Sequence, residues 1–285
     1  MWDDMLTVLQ LKEKVFDTVK EIKVKDIAVA FSGGIDSSLL AKVSKDAGKN
    51  VTLLTVGFSS WKDIELSREI AEILNLTFSC DMVQLVELKK GLKTVLTAIE
   101  VDRITRLENC VCFYYVFRLA SRLGLRTVLS ANGLDELFCG YSAYRDVFGD
   151  KSASTNLIES SVETAKKDKS ETDKIAALFH VEYVCPFLSD SFVDFALKIP
   201  LEMKIRSSDD EVRKHVLREV ALEVGVPESA AFRRKKAFQY SSGLHKAMGK
   251  LAGAAGFTRE NARTRGFGSA VEAYVASLRK NTRCG

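Results

Sequence analysis

The sequence is poor in proline, in long apolar runs and in net charge. Only three of its 285 residues are proline, which argues against disordered linkers between folded parts. No apolar stretch approaches the roughly 20 residues that a membrane-spanning helix needs. Residues 1–12 carry acids where a secretory signal carries bases, so we expect a cytoplasmic protein with no membrane partner. The net charge of +4 is too small to predict nucleic-acid binding by itself.

The most distinctive loop also lacks the lysine of a Walker A motif. Residues 32–38 read SGGIDSS after an apolar run, a pattern that predicts a strand, a tight turn and a helix. Backbone N–H groups and hydroxyls that suit an anion come from Ser32, Gly33, Gly34, Ser37 and Ser38. Asp36 would repel a phosphate unless a cation lay between them, and Mg²⁺ is the cation that fits. The loop therefore predicts a site for pyrophosphate and magnesium.

Strands and helices alternate along the first half of the chain. Strands are predicted at residues 26–31, 49–58, 76–83 and 125–131, and helices at 6–24, 37–47, 63–74, 85–96 and 110–123. This order is typical of an α/β fold with a doubly wound parallel sheet. Ligands of such folds bind beyond the carboxyl ends of the strands, where both SGGIDSS and SANGLDE (residues 130–136) are expected.

The second half of the chain has a different texture. Residues 151–174 are polar and predict a connection or an exposed helix, and residues 175–285 predict helices without strand alternation. We therefore predict two parts, with the boundary near residue 150. Residues 1–150 would form the nucleotide-binding domain with its leading helix. Residues 151–285 would form a mostly helical region that completes the active site.

Several motifs, in order, resemble one family. SGGIDSS resembles the pyrophosphate loop (PP-loop) of the ATP pyrophosphatases, and VLSANGLDELFCGYSAY (128–144) resembles the SG-x-G-x-DE-x-F-x-GY signature of asparagine synthetase C-terminal domains. Residues 181–205 resemble that family's E-x-x-x-PFLD segment, and residues 213–221 and 227–243 resemble its later basic motifs. The resemblance implies a PP-loop fold of the HUP, or adenine nucleotide alpha hydrolase-like, class. It also implies an AMP-forming ligase that adenylates an aspartate-like carboxylate for attack by ammonia and releases pyrophosphate.

The same resemblance implies roles for individual residues. Asp36 and Asp135 match the acids that hold Mg²⁺ on ATP. Contacts to the nucleotide beyond the glycine loop are implied for Val56, Ser130, Ala131 and Gly133. Lys235 matches a lysine that stabilises charge on pyrophosphate and on the tetrahedral intermediate. Glu182 matches a glutamate near the acceptor pocket, and Asn132 stands where many members have a carboxylate.

The chain departs from the family pattern mainly on the acceptor side. Asn132 cannot act as a general base at neutral pH, whereas a carboxylate can. Ser189, Val184 and Cys139 replace an aspartate, an arginine and a glycine of the motifs. Residue 2 is Trp, where the family's glutaminase domain starts with a nucleophilic cysteine, so nitrogen is expected from free ammonia or from a separate glutaminase subunit. The identity of the acceptor and a homodimeric state stay open.

Four of the six cysteines suggest an alternative function. Cys110, Cys112, Cys139 and Cys185 are expected near one cleft, where thiolates bind an Fe–S cluster or Zn²⁺. This placement is similar to that in the iron–sulfur tRNA thiolases, although their pair is C-x-x-C and this one is C-x-C. Basic residues at 233–236 and in the tail would then bind the RNA phosphates. A third alternative is an adapter that binds nucleotide without turnover.

Overall fold

The computed structural model describes residues 2–58, 62–234 and 238–283. The strands are β1 (Asp26–Ala30), β2 (Asn50–Gly57), β3 (Thr77–Met82), β4 (Thr127–Leu129) and β5 (Glu182–Val184). The helices up to the end of the sheet are α1 (Trp2–Lys20), α2 (Ile35–Asp46), α3 (Lys62–Ile73), α4 (Leu85–Ala98), α5 (Ile104–Arg122), α6 (Leu134–Leu137), α7 (Ala143–Asp146) and α8 (Lys151–Ala177). The later helices are α9 (Asp190–Leu197), α10 (His215–Glu223), α11 (Glu228–Ala231), α12 (Phe238–Ser241), α13 (Leu244–Ala254), α14 (Arg259–Thr264) and α15 (Ala270–Arg283).

The five strands form one parallel sheet in the order β3-β2-β1-β4-β5. Ile27, Ala28 and Val29 of β1 are fully buried, so both faces of the central strand are covered. Such strands have continuous apolar sequences rather than alternating ones, as residues 27–31 do. The strand order reverses between β1 and β4, and ligands of doubly wound sheets bind at that point. The predicted α/β fold is confirmed.

The main differences from the sequence-based expectation are in three elements. The leading helix predicted at 6–24 lies four residues earlier, because α1 spans Trp2–Lys20. The helix predicted at 110–123 begins six residues earlier, because α5 spans Ile104–Arg122. Strand β5 was missed, since it has only three residues and its apolar pattern is too short to recognise. It pairs with β4, so residues after 150 contribute to the same sheet as residues before it.

Of the two structures predicted for the polar segment after residue 150, a connection or a helix, the chain adopts the helix, α8. Asp150 caps its start, with the carboxylate accepting a hydrogen bond of 2.9 Å from the Ala153 N–H. Ile158, Val162 and Ala165 form a narrow buried stripe at helical spacing. Among the described residues, no helix combines the length and the apolar character that crossing a membrane requires.

Candidate active site

A cavity of about 740 Å³ opens at the carboxyl ends of β1 and β4. Residues that follow these two strands form one wall, and α5 and α8 contribute a second. The third wall comes from residues 211–214, 218, 232–234, 238, 239 and 241. Both halves of the chain therefore line one cavity at the position where the strand order predicts a ligand.

The SGGIDSS loop turns sharply between β1 and α2. Gly33 has a left-handed φ of +68°, and a Cβ there would lie 3.0 Å from Ser67 Cα, so glycine is needed at this position. The Ser32 N–H donates a hydrogen bond of 3.3 Å to Ser37 Oγ, and the two hydroxyls lie 3.2 Å apart. Helix α2 begins at Ile35, and the first N–H groups of a helix lack intrahelical partners. The helix dipole and these N–H groups favour an anion in the cavity.

Beside this loop, one ammonium group bridges two carboxylates. Lys214 Nζ lies 2.6 Å from Asp36 Oδ2 and 2.5 Å from Asp135 Oδ1. The Lys214 side chain is only 3% exposed. Burial alone would lower the pKa of Lys214, but attraction to Asp135 and Asp36 outweighs it and raises the pKa. The lysine is therefore a permanent positive charge held between the two acids.

The backbone around Lys214 has an unusual conformation that several hydrogen bonds stabilise. Arg213 and Lys214 have left-handed φ angles of 49° and 55°, which non-glycine residues rarely adopt. The Asp210 carboxylate accepts hydrogen bonds of 2.9 Å from the N–H groups of both Val212 and Arg213. Arg218 donates to three carbonyls in this region, those of Arg213, Val212 and Ala231. These bonds hold the turn that directs Lys214 into the cavity.

The geometry of Asp36 and Asp135 fits a magnesium ion. Their carboxylate oxygens converge on one point, since a single nitrogen contacts both within 2.6 Å. Hard oxygen ligands of this kind are what Mg²⁺ prefers. Gly140 makes the approach possible, because a Cβ there would lie 2.0 Å from Asp135 Oδ1 and 2.5 Å from Lys214 Cε.

Two arginines approach the glycine loop from the second half of the chain. Arg233 Nη1 donates a hydrogen bond of 2.5 Å to the Ser32 carbonyl oxygen, and Arg234 lines the same cavity. Lys235, predicted to stabilise the charge on pyrophosphate, lies outside the described residues. Its described neighbours Arg234 and Phe238 both line the cavity.

The end of the cavity away from the glycine loop is lined by α5, by α8 and by the turn that follows β4. Asn132 Nδ2 donates a hydrogen bond of 3.1 Å to Tyr183 Oη, which fixes the amide plane. Glu136 accepts hydrogen bonds from the Gly133 N–H and, at 2.5 Å, from Tyr141 Oη. Arg103 Nη2 contacts both oxygens of Asp168 at the wall. This end suits a small polar molecule rather than a triphosphate.

The structure brings together most of the residues predicted to contact ATP. Seven of them line the cavity: Ser32, Gly34, Asp36, Ser37, Ser130, Ala131 and Asp135. Asn132, predicted on the acceptor side, lines it too. The wall formed by the described residues does not include Gly33, Ser38, Val56 or Gly133. Ser38 and Val56 are fully buried, while the two glycines shape the turns. Sequence reasoning missed Lys214, although it lies in a basic motif that was recognised.

Glu182, predicted to lie near the acceptor pocket, is not among the residues that line the described cavity. Glu182 is the first residue of β5 and pairs with Thr127, the first residue of β4. It is exposed at the amino edge of the sheet, opposite the cavity, and accepts a hydrogen bond of 3.4 Å from Thr127 Oγ1. Its neighbour Tyr183 is the residue of this segment that reaches toward the acceptor end, through Asn132.

The four thiols are not brought together. Cys110 Sγ lies 3.7 Å from Thr172 Oγ1, whereas Cys112 Sγ lies 3.4 Å from Ser242 Oγ. Both lie within α5 and not at its start, so the expected helix N-terminus does not act on them. Within the described part of the chain, no group of three or more His, Cys, Asp or Glu side chains is arranged to hold a metal ion.

The environment of each thiol favours the protonated form. Burial raises the pKa of Cys110 and of Cys139 to about 11, and that of Cys185 to about 12. Burial also raises the pKa of Cys112. In the metal-free protein the four thiols are therefore protonated core residues. The convergence of thiols that suggested a tRNA thiolase is absent from the described residues.

Comparison with known proteins gives one consistent family. The model of the asparagine synthase family matches residues 10–167 and 149–281. Asparagine synthetase B (glutamine-hydrolysing) of Escherichia coli is 26% identical over 258 residues, covering 85% of this chain and 46% of the relative. A protein of Methanocaldococcus jannaschii named as a glutamine-hydrolysing asparagine synthetase is 28% identical over 282 residues, covering 88% of this chain and 51% of the relative. The chain thus spans about half the length of the curated relatives it matches.

Among solved structures, an NMN synthetase from Francisella tularensis covers 86% of this chain and 95% of its own. Its sequence identity is 15% and its TM-score is 0.35, a similarity that carries no functional information.

Proposed function

The chain belongs to the asparagine synthase family, and we propose that it is an ATP-dependent, AMP-forming amide ligase. The observation that carries the proposal is the convergence of Asp36, Asp135 and Lys214 beside the start of α2. Two carboxylates and a buried ammonium at a helix N-terminus form a set of groups suited to a polyphosphate with its metal ion. The far end of the cavity, where Asn132 lies, leaves room for an acceptor next to the α-phosphorus.

In this proposal the glycine loop binds the β- and γ-phosphates of ATP. Its N–H groups and the hydroxyls of Ser32 and Ser37 donate to phosphate oxygens. Asp36 and Asp135 would hold magnesium, which supplies positive charge that neutralises the phosphates and the leaving pyrophosphate. Lys214 then pairs with phosphate oxygens, because the nucleotide replaces the carboxylates as its anionic partner. Clamping spread negative charge in this way is the main source of catalysis in such reactions.

The proposed chemistry has two steps. A carboxylate oxygen of the acceptor attacks the α-phosphorus, the bond between that phosphorus and the β-bridging oxygen breaks, and pyrophosphate leaves. Ammonia then attacks the acyl carbon, the bond from this carbon to the phosphate oxygen of AMP breaks, and a proton passes from nitrogen to solvent or base. We propose that Asn132, held by Tyr183, donates a hydrogen bond to the acceptor rather than removing a proton. Lys235 would stabilise the charge of the tetrahedral intermediate.

We further propose that residues 151–285 complete the site begun by residues 1–150. Lys214, Arg218 and Arg233 come from the second part and line the same cavity as Asp36 and Asp135, which supports this division of roles. Ammonia would arrive free or from a separate glutaminase subunit, in the cytoplasm, with ATP and Mg²⁺ as cofactors. An aspartate-like carboxylate is the acceptor that the family suggests.

The test follows ¹⁸O from the labelled carboxylate of aspartate in a reaction with ATP, Mg²⁺ and ammonium. We expect AMP and pyrophosphate in equal amounts, with one ¹⁸O atom transferred to AMP. Other carboxylates are then tested one by one as acceptors in the presence of hydroxylamine, which traps an acyl adenylate as a hydroxamate. Formation of ADP and phosphate, or AMP without ¹⁸O, contradicts the proposal. ATP binding without any pyrophosphate release supports the adapter alternative instead.

A matched pair of variants assigns the reaction to this site. Asp36→Asn removes a carboxylate from the cavity, and pyrophosphate release should fall by about 100-fold or more. Asp26→Asn makes the same change at the amino edge of the sheet, where Asp26 accepts a hydrogen bond of 2.7 Å from Asn50. Because Asp26 lies far from the cavity, its variant should keep the wild-type rate. Equal losses in both variants would contradict the assignment.

A further inference from the structure

The turn before α10 presents Lys214 to the cavity from two consecutive left-handed residues. Arg213 and Lys214 have φ angles of 49° and 55°, a conformation that persists only where the surroundings hold it. The Asp210 carboxylate lies at the centre of this turn. Its side chain is only 6% exposed, and its Oδ1 accepts hydrogen bonds of 2.9 Å from the N–H groups of Val212 and Arg213. One acid therefore fixes the backbone directly before Lys214.

His215 fixes the backbone directly after Lys214 through the same carboxylate. Its ring nitrogen Nε2 lies 2.7 Å from Asp210 Oδ2, and its side chain is 15% exposed. The Arg206 N–H donates a further hydrogen bond of 3.0 Å to this oxygen. Burial alone would raise the pKa of Asp210, but the N–H groups and His215 outweigh it and lower the pKa to about 2. The carboxylate is therefore ionised, and the ring nitrogen of His215 is the donor.

Lys214 thus lies between two residues that bond to one anion, while its own ammonium is bonded elsewhere. Its Nζ reaches Asp36 and Asp135 on the cavity side. The Nε–H of Arg213 donates a hydrogen bond of 3.4 Å to the carbonyl oxygen of Gly140. The Gly140 N–H in turn donates one of 2.7 Å to the Asp135 carbonyl oxygen. The turn that carries the lysine is therefore attached to the turn that carries one of its two acids.

The ion pairs with Asp36 and Asp135 do not by themselves fix Lys214 during a reaction. A lysine side chain has a flexible four-carbon stem, so its ammonium can follow a moving partner. In the proposed function both carboxylates take a magnesium ion, and the ammonium changes partners to phosphate oxygens. The backbone then determines where the lysine side chain starts. Neither Asp210 nor His215 is among the described residues that line the cavity, so their bond does not compete with a ligand there.

We propose that Asp210 and His215 are positioning residues that act through Lys214. The hydrogen bond between their side chains closes the turn 210–215 and directs the lysine side chain at Asp36 and Asp135. The consequence for catalysis rests on the proposed function, in which Lys214 pairs with the phosphates. The positioning itself does not rest on it, because it is a property of the protein without ligand.

Acetylation of lysines with acetic anhydride tests the positioning without any substrate. The wild-type Lys214 side chain is 3% exposed and its ammonium is held by two acids, so we expect slow acetylation. His215→Ala removes a hydrogen bond to a charged group, and Asp210→Asn turns an acceptor oxygen into a donor facing the Arg206 N–H. Each should raise the acetylation rate of Lys214 about tenfold, measured by mass spectrometry. His215→Gln offers an amide N–H near the place of Nε2 and should restore slow acetylation.

Two controls separate positioning from general loosening of the fold. Lys204 is an internal reference that is 1% exposed, and its Nζ is bonded to the Ala196 carbonyl oxygen. His245→Ala is the matched variant, since it removes a histidine whose Nδ1 lies 2.7 Å from another buried carboxylate, that of Glu108. It should leave the acetylation rate of Lys214 unchanged.

An unchanged Lys214 rate in His215→Ala and Asp210→Asn would overturn the proposal. So would an equal rise at Lys204, or an equal rise at Lys214 in His245→Ala, because the effect would then reflect general opening of the protein. A His215→Gln rate as high as that of His215→Ala also contradicts the proposal, since the hydrogen bond would then not be what positions the lysine.

A double-mutant cycle tests the consequence for the reaction. His215→Ala should lower kcat for pyrophosphate release by about tenfold. In Lys214→Met protein the same change should alter kcat by less than about twofold, because no ammonium is left to position. Equal losses in both backgrounds would contradict action through Lys214. If wild type releases no pyrophosphate with any acceptor, the proposed function fails while the acetylation series still decides the positioning role. If release is normal but acetylation does not respond to the variants, the positioning role fails alone.

Discussion

The cavity cluster of Asp36, Asp135 and Lys214 and the four buried thiols are two sets of reactive groups that the structure treats in opposite ways. The carboxylates meet at one ammonium within 2.6 Å. The four thiols are instead buried without converging on one point, and two of them contact separate hydroxyls, one on α8 and one after α12. Buried charge is tolerated only beside an opposite charge, whereas cysteine is an ordinary core residue. Convergence of charged groups is therefore the stronger sign of a site.

Helix geometry explains why the C-x-C pair does not form a ligand pair. Residues two apart on an α-helix point about 200° apart around its axis. Cys110 therefore faces α8 and Cys112 faces the chain near Ser242. Asp36 and Asp135 come from two different turns, each after a central strand, and adjacent parallel strands bring such turns together.

Removal of the Lys214 ammonium is expected to have the largest effect on the cavity cluster. Lys214→Met leaves two carboxylates facing each other, which should lower the free energy of unfolding by about 3 kcal/mol. Pyrophosphate release should fall by about 100-fold or more, because the positive charge that pairs with the phosphate oxygens is lost. Chemical denaturation with and without Mg²⁺ measures the first effect, and Mg²⁺ should restore part of the stability because a cation can replace the ammonium.

Lys204→Met is the matched control, because Lys204 is as buried as Lys214 but makes no ion pair with a carboxylate among the described residues. Its Nζ donates a hydrogen bond of 2.7 Å to the Ala196 carbonyl oxygen, and burial lowers its pKa to about 8. Between pH 8 and its ordinary value of 10.5 the unfolded chain binds more protons, so this group makes stability rise with pH. The variant should lose that rise and keep turnover within about threefold. A loss of turnover equal to that of Lys214→Met would contradict the assignment.

Gly140→Ala tests the close approach at the cluster with a smaller change. The new methyl group would lie 2.0 Å from Asp135 Oδ1 and 2.5 Å from Lys214 Cε, so both side chains must shift. We expect about a tenfold loss of pyrophosphate release and a loss of roughly 1–3 kcal/mol in the free energy of unfolding. Gly249→Ala in α13 has open space around its Cβ and should leave activity unchanged. Wild-type activity in Gly140→Ala would mean that the spacing of the cluster is not required.

The nucleotide end was predictable because its signals are local. SGGIDSS follows a strand and starts a helix, so the positions of Ser32, Asp36 and Ser37 follow from strand order alone. Lys214 was not predictable, since its direction depends on two left-handed residues and on the Asp210 carboxylate. No periodicity or propensity in residues 210–214 signals such a turn.

For Glu182 the sequence matched a motif but did not specify which residue of that motif lies near the cavity. In a strand, successive residues point to opposite faces and each step moves about 3.3 Å along the sheet. The match placed the role on Glu182, but β5 is short enough that its first residue lies at the amino edge and its neighbour Tyr183 contacts Asn132. Without β5, which was missed, this distinction could not be drawn.

The smallest effect on activity is expected from substitution of the buried cysteines. Cys112→Ala removes a buried sulfur and its contact with Ser242, so the free energy of unfolding should fall by about 1–2 kcal/mol. Pyrophosphate release should stay within about twofold of wild type, because no thiol reaches the described cavity wall. Cys110→Ala serves as the paired variant on the α8 side and should behave the same way. Stoichiometric iron in anaerobically purified wild type, lost in either variant together with activity, would place the thiols in the chemistry and end the contrast with the cavity cluster.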